Sequence, residues 1–156
     1  MLYIWKIRIS FIMCLVLPIH TAFLLAGELH NKDIKNLTND EITNFVVPSG
    51  KIYCAIIGED KKLLRCEIDG MLKPLPPQPY PSYCEFDWGA GFLLRQQGKP
   101  EILCISDTIA GSNNILSYEK TWTNSSFKCV SKRIGLTCNN FDGHGFFLSR
   151  NKWNAF

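Results

Sequence analysis

The cysteines constrain the fold of this chain more than any other feature of its sequence. Seven cysteines occur among the 156 residues, and six of them lie between residues 54 and 138. Those six are Cys54, Cys66, Cys84, Cys104, Cys129 and Cys138. An even number of cysteines in an exported chain predicts three disulfides. No metal site is predicted, because no two of these cysteines have the short spacing of zinc ligands.

Residues 1–26 have the composition of a secretory signal peptide. Lys6 and Arg8 precede an apolar run over residues 9–26, and the small residue Ala26 comes directly before a polar stretch. Cleavage after Ala26 would remove Cys14 and leave the six cysteines. The alternative is that residues 9–26 remain as a membrane anchor, since the run approaches the length that spans a bilayer. The expected location is secreted or periplasmic, with membrane contact only if the segment is not cleaved.

The charge of the chain excludes one class of partner. Cleavage takes two of the 17 basic residues and none of the 14 acidic ones, so 130 residues (156 − 26) would carry a formal charge of about +1 (15 − 14). Such a balance does not predict a polybasic surface, and nucleic acid is therefore not an expected partner. No cofactor is predicted either.

Short apolar and β-branched runs separated by polar turns predict antiparallel hairpins. Two hairpins, residues 49–70 and 125–143, are similar, because each contains two cysteines followed by Asp-Gly. The predicted fold is an all-β domain over residues 45–156, a small sandwich or barrel-like arrangement with at most short helices at the termini. Residues 27–44 are predicted to be a polar tail, and Ser149 is the expected N-cap of one turn of helix.

The hairpins also favour one pairing of the cysteines. Two cysteines that flank a tight turn can face each other across the hairpin, which favours Cys54–Cys66 and Cys129–Cys138. These two pairs leave Cys84–Cys104 as the third. Sequence alone does not choose among the possible connectivities, so this pairing is a hypothesis.

One histidine is a candidate for chemistry. His144 is the only histidine of the predicted domain, and it follows Asp142 with a glycine on each side. Glycines let a substrate approach closely, and an aspartate can orient an imidazole that acts as a general base. No nucleophile motif accompanies them, and a tight turn explains the same residues. A small hydrolase that uses His144 and Asp142 is therefore the alternative function, and the leading interpretation is not enzymatic.

Carboxylates and aromatic residues supply weaker candidates. Glu67, Asp69, Glu85 and Asp87 include the residue type that glycoside hydrolysis needs as a pair, although solvated turn residues are the preferred interpretation. Trp122 is a candidate for an aromatic binding platform, with a core position as its preferred interpretation.

Three motifs resemble those of a known family. They are F-x-x-P-S-G-x-I-x-C from Phe45 to Cys54, G-x-x-C from Gly135 to Cys138 and G-H-G-F from Gly143 to Phe146. With these motifs the chain resembles a family of small exported bacterial proteins of unknown function. The resemblance implies a secreted all-β domain and supplies no activity.

A further motif resembles that of an inhibitor. Ser49-Gly50-Lys51-Ile52-Tyr53 is similar to the Ser-Gly-x-x-Tyr motif of periplasmic lysozyme inhibitors. In those proteins the loop enters the lysozyme cleft, which implies that Ser49 and Tyr53 would be the inserted groups. A turn before a strand explains the residues equally well. The leading hypothesis is an extracytoplasmic binding module whose partner is a protein or a cell-envelope glycan. The inhibitor and the hydrolase are the alternatives.

Overall fold

The computed structural model describes residues 32–33, 42–77 and 81–156. The predicted signal peptide, residues 1–26, and its alternative as a membrane anchor lie outside the described residues. Within the described ranges there is no helix that could cross a membrane.

The described residues form twelve strands in two sheets. The strands are β1 (Lys32–Asp33), β2 (Asn44–Val46), β3 (Ile52–Ile57), β4 (Leu63–Ile68), β5 (Asp87–Arg95), β6 (Glu101–Ile105), β7 (Asn114–Ile115), β8 (Thr121–Thr123), β9 (Phe127–Lys132), β10 (Gly135–Asn140), β11 (Gly145–Leu148) and β12 (Trp153–Ala155). The larger sheet has the order β1-β7-β2-β3-β4-β5-β6, and the smaller has the order β12-β11-β10-β9-β8. Only the pairs that β7 makes with β1 and β2 are parallel. The all-β prediction is confirmed, and the architecture is a sandwich and not a closed barrel.

Each sheet contributes one row of four residues to the centre of the core, and each row runs across four neighbouring strands. In the larger sheet the row is Phe45, Cys54, Cys66 and Phe92. In the smaller sheet the row is Trp122, Cys129, Cys138 and Phe146. All eight residues are at most 1% exposed. We call them the two cystine rows, because each consists of a disulfide between two aromatic residues.

The two cystine rows face each other along their length. At one side the Phe45 and Trp122 ring centroids are 5.2 Å apart, and at the other Phe92 and Phe146 stack at 4.9 Å. Between them, the sulfur atoms of Cys54, Cys66 and Cys138 lie within 4.8 Å of one another. Apolar burial of this kind is the main favourable contribution to folding. The disulfides therefore form part of the core as well as cross-linking the strands.

The three disulfides are Cys54–Cys66 and Cys129–Cys138, the pairs that the hairpin geometry favours, and Cys84–Cys104, the pair that these two leave. The first and third each join residues that are directly opposite in register, with Cα atoms 4.1 Å apart. Cys84–Cys104 joins the segment before β5 to β6, and both of its cysteines are half-buried.

Two glycines allow the strand next to each disulfide-linked hairpin to pack closely against it. Gly91 on β5 is opposite Glu67, and Gly145 on β11 is opposite Asn139. A Cβ atom at Gly91 would lie 2.0 Å from the carbonyl oxygen of Cys66, and one at Gly145 would lie 2.1 Å from that of Cys138. These distances are too short for any side chain, so glycine is required beside both rows.

The domain differs from the sequence predictions at both ends. Near its amino end, β1 and the buried Ile42 lie within the stretch predicted as a tail. Near its carboxyl end, the predicted turn of helix is wrong. The Ser149 hydroxyl donates to the Lys152 carbonyl over 2.8 Å and closes a turn that leads into β12. Strand β12 brings the Trp153 ring centroid to 5.6 Å from that of Phe92. This packing outweighs the local preference of Ser149 for the start of a helix.

The antiparallel order determines which loops share an end of the sandwich. The β2–β3, β9–β10 and β11–β12 connections lie at one end, which we call the basic end for reasons given below. The β3–β4, β5–β6, β8–β9 and β10–β11 connections lie at the opposite end. Residues from distant parts of the sequence meet at each end.

Candidate functional site

Asp142 and His144, the candidate hydrolase residues, lie in the turn between β10 and β11. A carboxylate oxygen of Asp142 accepts a hydrogen bond of 3.0 Å from the backbone N–H of Gly98, in the β5–β6 turn. The backbone of His144 bonds to Asn140, with its N–H donating to Oδ1 over 3.1 Å and its carbonyl accepting over 2.9 Å. The hydrogen bonds of the described ranges include none between the Asp142 carboxylate and the His144 ring.

Asn140, which the sequence analysis did not single out, connects this turn to the other sheet. Its buried side chain donates to the carbonyl oxygens of Arg95 and Gly98, over 3.0 and 2.9 Å. We call the contacts of Asn140 and Asp142 with residues 95–98 the turn clamp. The only sequence signal for it is an asparagine directly before a turn, and that signal does not identify the partner. The turn clamp gives Asp142 a structural role.

The two residues of the inhibitor-like motif have different environments. Ser49 is exposed on the β2–β3 loop. Tyr53 is half-buried on β3, and its hydroxyl donates to the Gly50 carbonyl over 2.6 Å. Gly50 has a φ of +67°, which glycine adopts readily. Tyr53 therefore supports the loop, and Ser49 is presented to solvent at the basic end.

Trp122 does not form a surface platform. Its ring is 1% exposed within its cystine row, and its Nε1 donates to the carbonyl of Ile42 over 3.2 Å. An indole buried in this way satisfies its one polar group inside the protein. Trp122 therefore has the core position that was its preferred interpretation, and a ligand at the surface does not reach the ring.

The carboxylates considered for glycoside hydrolysis are also placed by the structure. Glu67, Asp69 and Asp87 line one cavity of about 520 Å³, and Glu85 does not. Glu67 is buried, contrary to the interpretation as a solvated residue, and its Oε1 lies 2.5 Å from Nη2 of the buried Arg65. Asp69 forms an ion pair with Lys51. Two of the three are therefore engaged by cations.

The buried ion pair is further stabilised by the loop that follows β6. Arg65 donates to the carbonyl oxygen of Asp107 over 2.8 Å, and Glu67 accepts from the hydroxyl of Thr108 over 2.7 Å. Buried charges require such additional hydrogen bonds to offset their lost hydration. No local sequence pattern indicates these contacts, because about forty residues separate the loop from β4 along the chain.

The basic end contains a cleft of about 370 Å³. Its rim carries four exposed cations from three separate loops, Lys51, Lys132, Arg133 and Arg150. Ser49 and Asn151 add neutral hydrogen-bonding groups to the same cleft, whereas the hydroxyl of Ser149, which also lines it, is bonded to Lys152. The arrangement combines positive charge with directional donors, which is the chemistry that binds carboxylates and phosphates.

The charge of the cleft is only partly compensated. Asp69 bonds to Lys51 and raises the pKa of that lysine above its ordinary value of 10.5. A raised pKa favours the protonated form, so Lys51 stays charged below 10.5 and loses the pair only as the pH rises through the raised value. Arg133 lies over the Tyr118 ring at 5.2 Å. Within the part of the chain that the structure describes, no carboxylate forms an ion pair with Lys132, Arg133 or Arg150.

Comparison with known proteins places the chain in a family without supplying an activity. The sequence model of one protein family, described as a family of unknown function, matches residues 34–156. Comparison with curated proteins and with solved structures gives no match. The basic end is therefore the candidate site on the strength of its geometry alone.

Proposed function

The chain belongs to the family of unknown function DUF6636, and we propose that it is an extracytoplasmic binding module that recognises an anionic group at its basic end. The observation that carries this proposal is the cleft itself. Four cations from three loops surround it, and a single carboxylate, Asp69, is paired with one of them.

Clustering of like charges requires a physical reason. The cations at the basic end repel one another, and three of them gain no ion pair within the described ranges that would offset this repulsion. An incoming carboxylate or phosphate would reduce the repulsion and accept hydrogen bonds from Arg133 and Arg150. Loops at the end of a rigid sandwich are also where β domains commonly place their binding residues.

Charge reversal provides the test. We expect the triple variant Lys132→Glu, Arg133→Glu, Arg150→Glu to bind a hexaglutamate peptide at least about tenfold more weakly than the unaltered domain. The affinity of the unaltered domain should also fall as salt is added, because exposed charges are screened. Isothermal titration calorimetry measures both effects.

A second triple variant has the same net charge and serves as the control. Lys62, Lys99 and Lys128 are exposed and lie outside the basic cleft. Their replacement with glutamate should leave the affinity within about twofold of the unaltered value. If both triple variants bound the peptide equally weakly, the attraction would depend on net charge and not on the cleft. If the peptide did not bind the unaltered domain, the proposal would be wrong.

The lysozyme-inhibitor hypothesis is a second candidate, because Ser49 is exposed on the rim of the same cleft. In this alternative the β2–β3 loop would enter the active-site cleft of lysozyme. The clefts of glycoside hydrolases contain carboxylates. We expect the unaltered domain to inhibit lysozyme. The variant Ser49→Trp, which adds bulk at an exposed position, should not inhibit it. Full lysozyme activity in an excess of the domain would exclude it. The hydrolase alternative has less support, because the turn clamp already engages Asp142.

For the organisation of the whole chain, the proposal keeps the signal peptide and the two similar hairpins that the sequence predicts. Residues 1–26 act as a signal peptide, and three disulfides support an oxidising, extracytoplasmic location. We also propose that the hairpins 49–70 and 125–143 are diverged copies. The equal arrangement of the two cystine rows supports this, since each places its disulfide between aromatic residues of the neighbouring strands.

A further inference from the structure

We propose that the end of the sandwich opposite the basic end holds a second site, which binds a neutral saccharide through the ring of Phe141. Turns from both sheets surround an open cavity of about 720 Å³ at this end. Its volume is in the range of ordinary ligand sites. Phe141 lies at its edge and is 76% exposed, which makes it the most exposed large apolar side chain of the described residues.

Phe141 is held in place by its neighbours. Asn140 and Asp142, on either side of it, make the turn clamp to residues 95–98 of the other sheet. The backbone of the turn is therefore fixed from both directions, while the ring between them faces solvent. A ring presented on a fixed backbone loses little conformational entropy when it binds a ligand.

The polar groups of the cavity favour an uncharged ligand with many hydroxyl groups. The lining contains the carboxylates of Asp60 and Asp142 and the cations of Lys62 and Arg95, so its formal charges sum to zero, and Arg95 forms its ion pair with Glu101. Together with the amide of Gln97 they supply both donors and acceptors. A sugar ring presents hydroxyl groups at its edge and C–H groups on its face, and it can therefore contact these polar groups and the Phe141 ring at once.

Other ligands fit the cavity less well. An anion would find balancing carboxylates here and a better site at the basic end. An extended peptide can be bound by adding a strand to a free sheet edge. The lining residues lie in turns, except for Leu63 and Arg95, which are opposite each other on the paired strands β4 and β5. A neutral saccharide is the ligand class that the geometry favours.

Nuclear magnetic resonance titration of the domain with tetrasaccharides tests the site. The probes are the linear tetramers of N-acetylglucosamine and of β-1,4-linked glucose. We expect shifts of backbone amide signals in the turns around residues 60–62, 96–98 and 140–144. Phe141→Ala should weaken binding at least about tenfold, and Phe141→Trp should retain it, because the larger ring also stacks on sugar.

Two controls separate binding from folding and from the basic end. Ile134→Ala removes an apolar side chain of similar exposure, 73%, at the basic end and should leave saccharide affinity unchanged. Gln97→Ala removes a polar group of the cavity at an exposed position and should weaken binding, which keeps the test open if Phe141→Ala does not fold. The variant with three charge reversals at the basic end should still bind saccharide at the opposite end. This proposal and the proposed anion site can therefore fail separately.

Three results would overturn the saccharide site. The first is that neither tetramer shifts these signals at concentrations up to about 10 mM. The second is that Phe141→Ala and Gln97→Ala both bind with unchanged affinity. The third is that hexaglutamate, and not saccharide, shifts the 140–144 turn, which would identify a site for acidic peptide.

Discussion

Gly145→Ala should destabilise the domain by about 3 kcal/mol or more, a large part of the stability of an ordinary domain. The new Cβ atom would lie 2.1 Å from the carbonyl oxygen of Cys138 and 2.8 Å from the Cα of Asn139. Both are backbone atoms of β10, so no side-chain rotation relieves the contact. Strand β11 would have to move away from β10 and carry Phe146 out of its cystine row. Urea unfolding followed by tryptophan fluorescence measures the loss.

Other glycines separate this steric effect from a change of backbone preference. Gly91→Ala should lower the free energy of unfolding by as much as Gly145→Ala, because its Cβ atom would lie 2.0 Å from the carbonyl oxygen of Cys66. Gly111 has a φ of +117° but no atom near its Cβ position, so Gly111→Ala should cost only about 1 kcal/mol. If Gly145→Ala were as mild as Gly111→Ala, the close approach of β11 to β10 would be wrong.

Removal of the Cys129–Cys138 disulfide by double replacement with alanine is expected to lower the free energy of unfolding by about 4 kcal/mol or more. The chain-entropy model assigns roughly 3 kcal/mol to a loop of this size. The remaining loss comes from the void left by two fully buried sulfur atoms, and that of Cys138 lies within 4.8 Å of the Cys54 and Cys66 sulfur atoms. Thermal and urea unfolding under non-reducing conditions compare the variant with the unaltered domain.

The Cys84–Cys104 disulfide provides the comparison. Its cysteines are 20 residues apart, against 9 for Cys129–Cys138, so chain entropy alone would make it the more stabilising of the two. Its cysteines are only half-buried, and its removal leaves no comparable void in the core. We expect the opposite order, with Cys129–Cys138 contributing more. A ranking that followed loop length would show that packing around the sulfur atoms adds little.

The predictions that succeeded depend on residues close together in the sequence. The hairpins follow from local alternation of apolar runs and polar turns, and a cysteine on each side of a turn suggests its own partner. The features that were not predicted depend on distant residues. The contact of Phe45 with Trp122 joins the two sheets, and the parallel pairing of β7 with β2 brings Ile115 beside Val46. Neither leaves a local pattern.

The same distinction applies to the candidate sites. Ser49 was singled out because a motif surrounds it, whereas the basic cleft assembles Lys51, Arg133 and Arg150 from loops far apart in the sequence. A small net charge concealed this local excess. Asp142 and His144 resembled a catalytic arrangement because the sequence shows an aspartate near a histidine but does not show the hydrogen bond that Asp142 accepts from the Gly98 N–H. The preferred interpretation of these residues as a turn agrees with the contact that Asp142 makes between the sheets.

Among the six cysteines from Cys54 to Cys138, the first is bonded to the second, the third to the fourth and the fifth to the sixth. A polypeptide that enters an oxidising compartment with its amino end first therefore presents both members of a pair before the following pair arrives. Oxidation in order of arrival produces the native bonds directly. If each pair formed in this order, the disulfides would not have to be rearranged to reach the native pairing.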